Sequence, residues 1–248
     1  MSLLTRYVSL IDASADAFAQ KRTANRSLEF SLALPACVGR RTITAALCAL
    51  GQHDVDWSGG YKFFNRAGWN PAARFRPVLE HFVELFPSGP IPIAVDDTKG
   101  HKVGKKIRSA FWQRDPLSPP FHTNLIWAQR FLHFSLIFPL HRKGSASARS
   151  IPIRFRDAPV VKKPGIRGTD AQWEEWRRRS REQNLSTQAR TTALEIRREL
   201  DELGQAHRLA LLVADGSFCN RAFYREALDR THILARTRKD ARLCLPAA

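Results

Sequence analysis

Residues 91–100 read Ile-Pro-Ile-Ala-Val-Asp-Asp-Thr-Lys-Gly. Ile91 to Val95 is short, apolar and partly β-branched, the composition of a buried strand. It runs directly into two acids, Asp96 and Asp97. A second stretch has the same form: Leu209 to Ala214 is apolar, and Asp215-Gly216 follows it. If the two strands are neighbours in one sheet, their acids converge at a sheet edge, where open α/β sheets place their ligands.

The residues between these blocks set the topology. Asn124 to Leu140 is a long strand candidate rich in aromatics, and Ile151 to Phe155 is another. Pro159 to Gly168 is a basic loop. Thr169, with Gln172 three residues on, has the form of a capping box. The helical region it opens runs to Gly204, with a break near Asn184-Leu185-Ser186. Leu185, Ala189, Ala193, Ile196, Leu200 and Leu203 recur on one face of its second half. After Asp215, a short helix is expected from about Asn220 to Leu228, then a strand from His232 to Ala235. The order beyond residue 90 is therefore β-β-β-α-β-α-β. Its first three strands suit an antiparallel meander, and a helix then crosses to a strand beside the first.

Upstream, the first 86 residues read as helical. Arg41 to Leu50 is a short helix closed by Gly51. Phe75, Val78, Leu79, Phe82, Val83 and Phe86 form the apolar face of a helix from Pro71 to Phe86, with Asn70 as its cap. Pro87-Ser88-Gly89-Pro90 then breaks the pattern. Two domains follow: residues 1–88, all helical, and residues 89–248, α/β.

The chain has 248 residues, enough to bury roughly 70–75% of its unfolded surface without cross-links. Its net charge is +17, carried by 30 Arg and 10 Lys. A polyanion is the expected partner, and the arginine excess suits phosphate oxygens better than a membrane surface. Cys37, Cys48, Cys219 and Cys244 form no CxxC pair, so free thiols in a reducing compartment are expected. The longest apolar run, Phe131 to Leu140, is too short to span a bilayer. Arg6, Asp12 and Asp16 interrupt the N-terminal apolar residues, which excludes a signal peptide. A cytoplasmic protein with no membrane partner is expected.

Carboxylates held close together repel one another, and a divalent cation relieves that repulsion. Hard oxygen ligands select magnesium or manganese over zinc. Two such ions about 3.5–4 Å apart suit in-line displacement at a phosphodiester. The basic segments would hold the nucleic acid through its phosphates. Lys99, Lys102, Lys105, Lys106, Arg108 and Arg114 follow the first acids, a second run spans Arg142 to Arg167, and Arg177 to Arg179 with Arg181 lie on the long helix. The residues leave a plainer alternative open. Asp-Asp-Thr-Lys-Gly is also a good turn sequence, and so is Asp215-Gly216. The arginines on the helix read equally as a solvated face, Trp57, Trp69, Trp112 and Trp127 as packing residues, and the histidines as structural or surface groups.

Ile93 to Gly100, with Gly104-Lys105-Lys106-Ile107 after it, resembles the first catalytic block of DDE transposases of bacterial insertion sequences, the DDE superfamily endonucleases. Asn124 to Phe131 resembles that group's second strand, and Leu212 to Arg221 its second catalytic block. Arg236 to Ala241 resembles the strand end that follows, and Tyr61 to Trp69 the end of the N-terminal helical region. The resemblance implies an RNase H-like mixed sheet with flanking helices, preceded by an all-α domain that binds DNA ends, as a helix-turn-helix variant around Arg40 to Trp69. It implies two Mg2+ or Mn2+ ions, and cleavage and strand transfer of transposon ends in double-stranded DNA. By position in the block, Asp97 is the expected catalytic acid and metal ligand, with Asp96 its alternate; Asp215 is the second ligand. Strand alternation puts Asp96 and Asp97 on opposite faces. Lys99, Lys102, Lys105, Lys106, Arg108, Arg130 and Arg221 are the expected DNA contacts. A homodimer on paired ends and a nucleoid location follow from the same resemblance.

The family's third acid, a glutamate on a helix well downstream of the second aspartate, has no counterpart here. No Glu follows Glu226, which stands too soon after Asp215. The chain is accordingly expected to be truncated at its C-terminus. The alternative function is a non-catalytic DNA-binding remnant or regulator that competes for transposon ends; a third is an RNase H-fold nuclease acting on RNA or hybrids.

Overall fold

A computed structural model describes residues 2–119, 121–140 and 147–237. Arg142, Arg238 to Ala241 and Cys244 lie outside the described residues. The chain forms two compact units, Met1–His81 and Phe82–Ala248.

The first unit is helical: α1 (Leu3–Asp12), a 3-10 turn (Ala15–Ala17), α2 (Lys21–Ala36), α3 (Ile43–Ala49), α4 (Ser58–Arg66) and the start of α5 (Pro71–Leu85). Thr42 caps α3 by accepting from the Ala45 amide, and Asn70 caps α5 by accepting from the Ala72 and Ala73 amides. Gly51 closes the turn after α3 with φ near 71°, a value a side chain would strain. Phe30, Ala33, Ala46 and Leu47 form the core, with Trp57 and Phe63 against it.

The second unit holds β1 (Ile91–His101), β2 (Ala110–Arg114), β3 (Leu125–Pro139), β4 (Ala148–Asp157), α6 (Asp170–Glu182), α7 (Leu185–Glu202), β5 (Ala210–Ala214), α8 (Arg221–Tyr224) and β6 (Thr231–Ala235). The six strands make one mixed sheet in the order β2-β3-β1-β5-β6, with β4 also paired to β3. β1 runs antiparallel to β3 and parallel to β5, and β5 runs parallel to β6. The two apolar blocks quoted above are therefore adjacent strands.

Ile91, Ile93 and Val95 share a sheet face with Leu132, Phe134, Leu136 and Leu212, all buried. Helix α7 turns Ala189, Ala193, Ile196 and Leu200 inward. Arg154 and Arg156 of β4 lie in the same rows as Phe134 and Leu132. They reach Glu199 and Glu195 of α7, which ties that helix to this face. The Arg154–Glu199 pair is almost fully buried, at 6% and 16% side-chain exposure. Thr169 and Gln172 form the expected capping box, and Asn184 caps α7 after the expected break.

Three expectations need correction. The first strand does not stop at Val95: it continues through Asp96, Asp97 and Thr98 to His101, paired residue by residue with β3. The turn reading of Asp-Asp-Thr-Lys-Gly therefore fails, because the neighbouring strand outweighs local turn chemistry. A strand, β2, lies where none was expected. Its mixed residues gain a partner in β3, where Trp112 faces Trp127. The helix expected from Asn220 to Leu228 is a single turn, Arg221–Tyr224.

Candidate active site

The acid-bearing segment of β1 is held from one side by β3. Asp96 faces His133, Asp97 faces Leu132, Thr98 faces Phe131 and Lys99 faces Arg130. Alternation sends Asp96 and Asp97 to opposite faces. Asp97, Leu132 and Arg156 form one row across three strands, on the face tied to α7. Asp96, His133 and Phe155 form the matching row on the other face.

The parallel pairing of β1 with β5 ends at Val95–Ala214. Asp215 follows immediately, so the second acid stands at the C-terminal end of β5, one residue beyond the last pair. Its Oδ1 accepts from the Ser217 amide at 2.9 Å and from the Ser217 hydroxyl at 2.6 Å. The loop behind it is anchored by Phe218 and Phe223, both fully buried. Asn220 caps α8 through the Ala222 and Phe223 amides, and its Nδ2 donates to Ser186 Oγ at 2.8 Å and to the Ser217 carbonyl at 3.0 Å. The position of Asp215 is thus set by a strand end and by the start of α7.

Electrostatics couple these groups. Burial pushes the half-buried Asp97 carboxyl above its ordinary value; Arg130 and Lys99 oppose the rise, while Asp96 and Asp215 add to it. Burial lowers the Arg130 pKa, and Asp97 opposes that. Arg130 is also fixed by its Nε, which donates to the Ala158 carbonyl at 3.2 Å, and its guanidinium lies over the Phe111 ring. On the other face, burial lowers the His133 pKa and Asp96 opposes the change. The Asp96 Oδ1 accepts from the Asp97 amide at 2.8 Å.

Asp97, Lys99 and Arg130 share one face of the sheet, with Asp215 just past the end of the neighbouring β5, whereas Asp96 stands on the other face. Lys99 also donates to the Arg114 carbonyl at 2.9 Å. Lys102, Lys105, Lys106 and Arg108 follow the C-terminal end of β1, on its connection to β2. Arg221 is exposed on α8. Glu226 is paired with Arg190. Among the described residues, no group of three or more His, Cys, Asp or Glu side chains is placed to hold a metal. His133 faces Asp96 across the β1–β3 ladder, a neighbour that only the register reveals. Trp127 and Trp112 differ: the Trp127 indole donates to the Gly104 carbonyl, whereas Trp112 is 66% exposed. Arg178 on α6 is held by Glu175 and Glu182, as a solvated face would be.

A mixed sheet with an acid in its first strand, a second acid at the end of the parallel neighbour and helices packed alongside defines an RNase H-like α/β domain. The family model of the DDE superfamily endonucleases matches residues 15–248, and the chain belongs to that family. No curated protein matches it. Family membership implies transposase-like nuclease activity on DNA, in a group that generally uses divalent metal ions. No helix among the described residues is long and apolar enough to cross a membrane.

Proposed function

We propose that this chain is the transposase of a bacterial insertion sequence, which cleaves transposon ends and transfers the strands, with Asp97 and Asp215 as metal ligands. One observation carries the proposal: β1 and β5 are parallel neighbours whose last pair is Val95–Ala214, so Asp97 and Asp215 follow that pair by two residues and one residue. Both are hard oxygen donors, and burial with like charge disfavours the ionised Asp97. A divalent cation would offset both effects, so the pair fits Mg2+ or Mn2+. Two ions are expected in a complete site. When bound, they stabilise the attacking and leaving oxygens of the displacement.

The chain's own groups have separable roles. Strand β1 holds Asp97 in place, and Ser217 orients Asp215. Arg130 and Lys99 lie on the Asp97 side of the sheet and would bind the phosphate beside the acids. Asp96 faces the other way and is the alternate only if the strand shifts register. Lys102, Lys105, Lys106, Arg108 and Arg221 would contact phosphates farther along the DNA. Residues 1–88 would bind the transposon ends, through a helix-turn-helix variant around Arg40 to Trp69, and residues 89–248 would carry out the chemistry. A homodimer on paired ends, in the cytoplasm at the nucleoid, completes the proposal.

A second reading is a non-catalytic DNA-binding protein that competes for the ends. It is favoured by the absence of a third acid near Asp97 and Asp215 among the described residues. One assay separates the two: nicking of a labelled duplex containing the DNA that flanks the coding sequence, with and without manganese. Manganese-dependent nicking that is lost in Asp97→Ala supports the enzyme. Equal nicking by both proteins, or none by either, removes it.

A further inference from the structure

We propose that the groove between α2 and α4 of the helical unit binds the phosphate backbone of duplex DNA. The groove is open, about 560 Å³ in volume, and four cations line it: Arg22 and Arg26 on α2, Lys62 and Arg66 on α4. Each pair is four residues apart, so each lies on one helix face with its members about 6 Å apart along the axis. Two walls therefore carry two cations each.

Counter-charge in the groove is sparse. Asp56 is its single acidic lining residue among those described. Its carboxylate accepts from the Ser58 hydroxyl and amide at 2.5 and 2.9 Å, bonds that hold the carboxyl below its ordinary value. Arg26 is half engaged already, by Glu29 at 2.7 Å and by Gln52. Arg22, Lys62 and Arg66 are exposed and have no ion pair within 4 Å among the described residues. Glycines keep the base of the groove low. A Cβ on Gly59 would lie 3.8 Å from the Arg26 guanidinium, and one on Gly60 would lie 3.1 Å from Leu47. Helix α4 consequently sits close against the α2–α3 core, and the cations of both helices line one groove.

This chemistry fits a polyanion rather than a small organic ligand. The walls are polar and the groove is open, with no apolar enclosure to bury a ligand. A single small anion cannot engage cations on both rungs of both walls. A DNA duplex can, because it carries a charge about every 1.7 Å of its axis. The proposal rests on DNA as the substrate, argued above, and assigns to it a surface in the helical unit.

The test is binding of the whole chain to a labelled duplex of arbitrary sequence, measured by fluorescence anisotropy across a salt series. The triple variant Arg22→Ala, Lys62→Ala, Arg66→Ala is expected to flatten the log affinity against log salt slope by about 0.9 for each cation removed. Lys62→Glu alone should weaken binding in the same direction, with an unchanged thermal midpoint. Arg178→Ala, whose guanidinium is held by Glu175 and Glu182, should leave the slope as it is. An unchanged slope in the triple variant overturns the groove and leaves the DNA substrate standing. No duplex binding by the wild-type chain overturns both. Binding to phosphatidylserine vesicles but not to duplex gives the groove to a membrane surface and overturns the proposal.

Discussion

Asp97 and Arg130 lie on the same face of the sheet, one row apart, and each opposes in the other the effect of burial. Because burial raises the acid and lowers the base, loss of either charge leaves its partner less ionised. In Arg130→Met, the Asp97 carboxyl should rise further. Manganese-dependent nicking should then fall off at a higher pH than in the wild type. An unshifted acid limb of the pH profile would show that Arg130 does not act on Asp97.

The raised Asp97 value also has a stability consequence. The folded state holds this proton more tightly than the unfolded chain, so the folded state binds more protons between the ordinary and the raised carboxyl values. Stability contributed by the group is present at low pH and is lost as pH rises through that window. Asp97→Asn, which cannot ionise, should therefore be more stable than the wild type at neutral pH and closer to it near pH 3. Thermal unfolding at a series of pH values checks this; a difference that shrinks as pH rises contradicts it.

If Asp97 and Asp215 are the ligands, Asp97→Ala and Asp215→Ala should each reduce manganese-dependent nicking by on the order of 100-fold or more, a loss at least as large as that from disturbing groups around a metal site. Asp96→Ala should retain most of it, since Asp96 faces the His133 side of the sheet. Circular dichroism of all three should match the wild type. Loss of activity in Asp96→Ala alone would exchange the roles of the two neighbours.

Glu199 lies against Arg154 beneath α7, almost out of solvent. Glu199→Ala strands a buried guanidinium and should cost about 3–5 kcal/mol. A drop in thermal midpoint of only one or two degrees would mean that water reaches Arg154.

Asn220 joins the loop of Asp215 to the start of α7 through Ser186. Asn220→Ala removes a helix cap and that bridge, and should cost about 1 kcal/mol, or roughly 2–4 °C in thermal midpoint. Nicking should fall by more than stability does, because Asp215 loses its anchor. An activity loss no larger than the unfolded fraction would contradict that link.

Much of this was legible in the sequence, because the signals were local. Apolar runs before Asp96 and Asp215, the Thr169–Gln172 capping box and the Asn70 cap all depend on neighbours in the chain. What escaped depends on residues far away in it. Asp96 to Gly100 look like a turn, yet His133 to Gln129 of β3 hold them as strand. Gln113 disguised β2 as a loop; in the fold it is buried and donates to the Ala128 carbonyl. The strand expected at Ile151 to Phe155 is longer, Ala148–Asp157, with a register shift opposite Phe134 and Ser135 that no local signal marks. Register is likewise the only route to His133 opposite Asp96. The sequence resemblance singled out both acids as expected ligands; that the strands before them are parallel neighbours needed the structure.

The uneven ends of β1 and β5 leave the sheet with a step. Beyond Val95, β1 keeps its neighbour on the β3 side and, among the described residues, has no further strand pair on the β5 side. Asp97 thus stands on a ledge: the backbone beneath it is braced from one flank, while the opposite flank carries no ladder bond from the described residues. On the proposed function, a long, stiff duplex would meet Asp97 from that flank without unzipping any strand pair among the described residues.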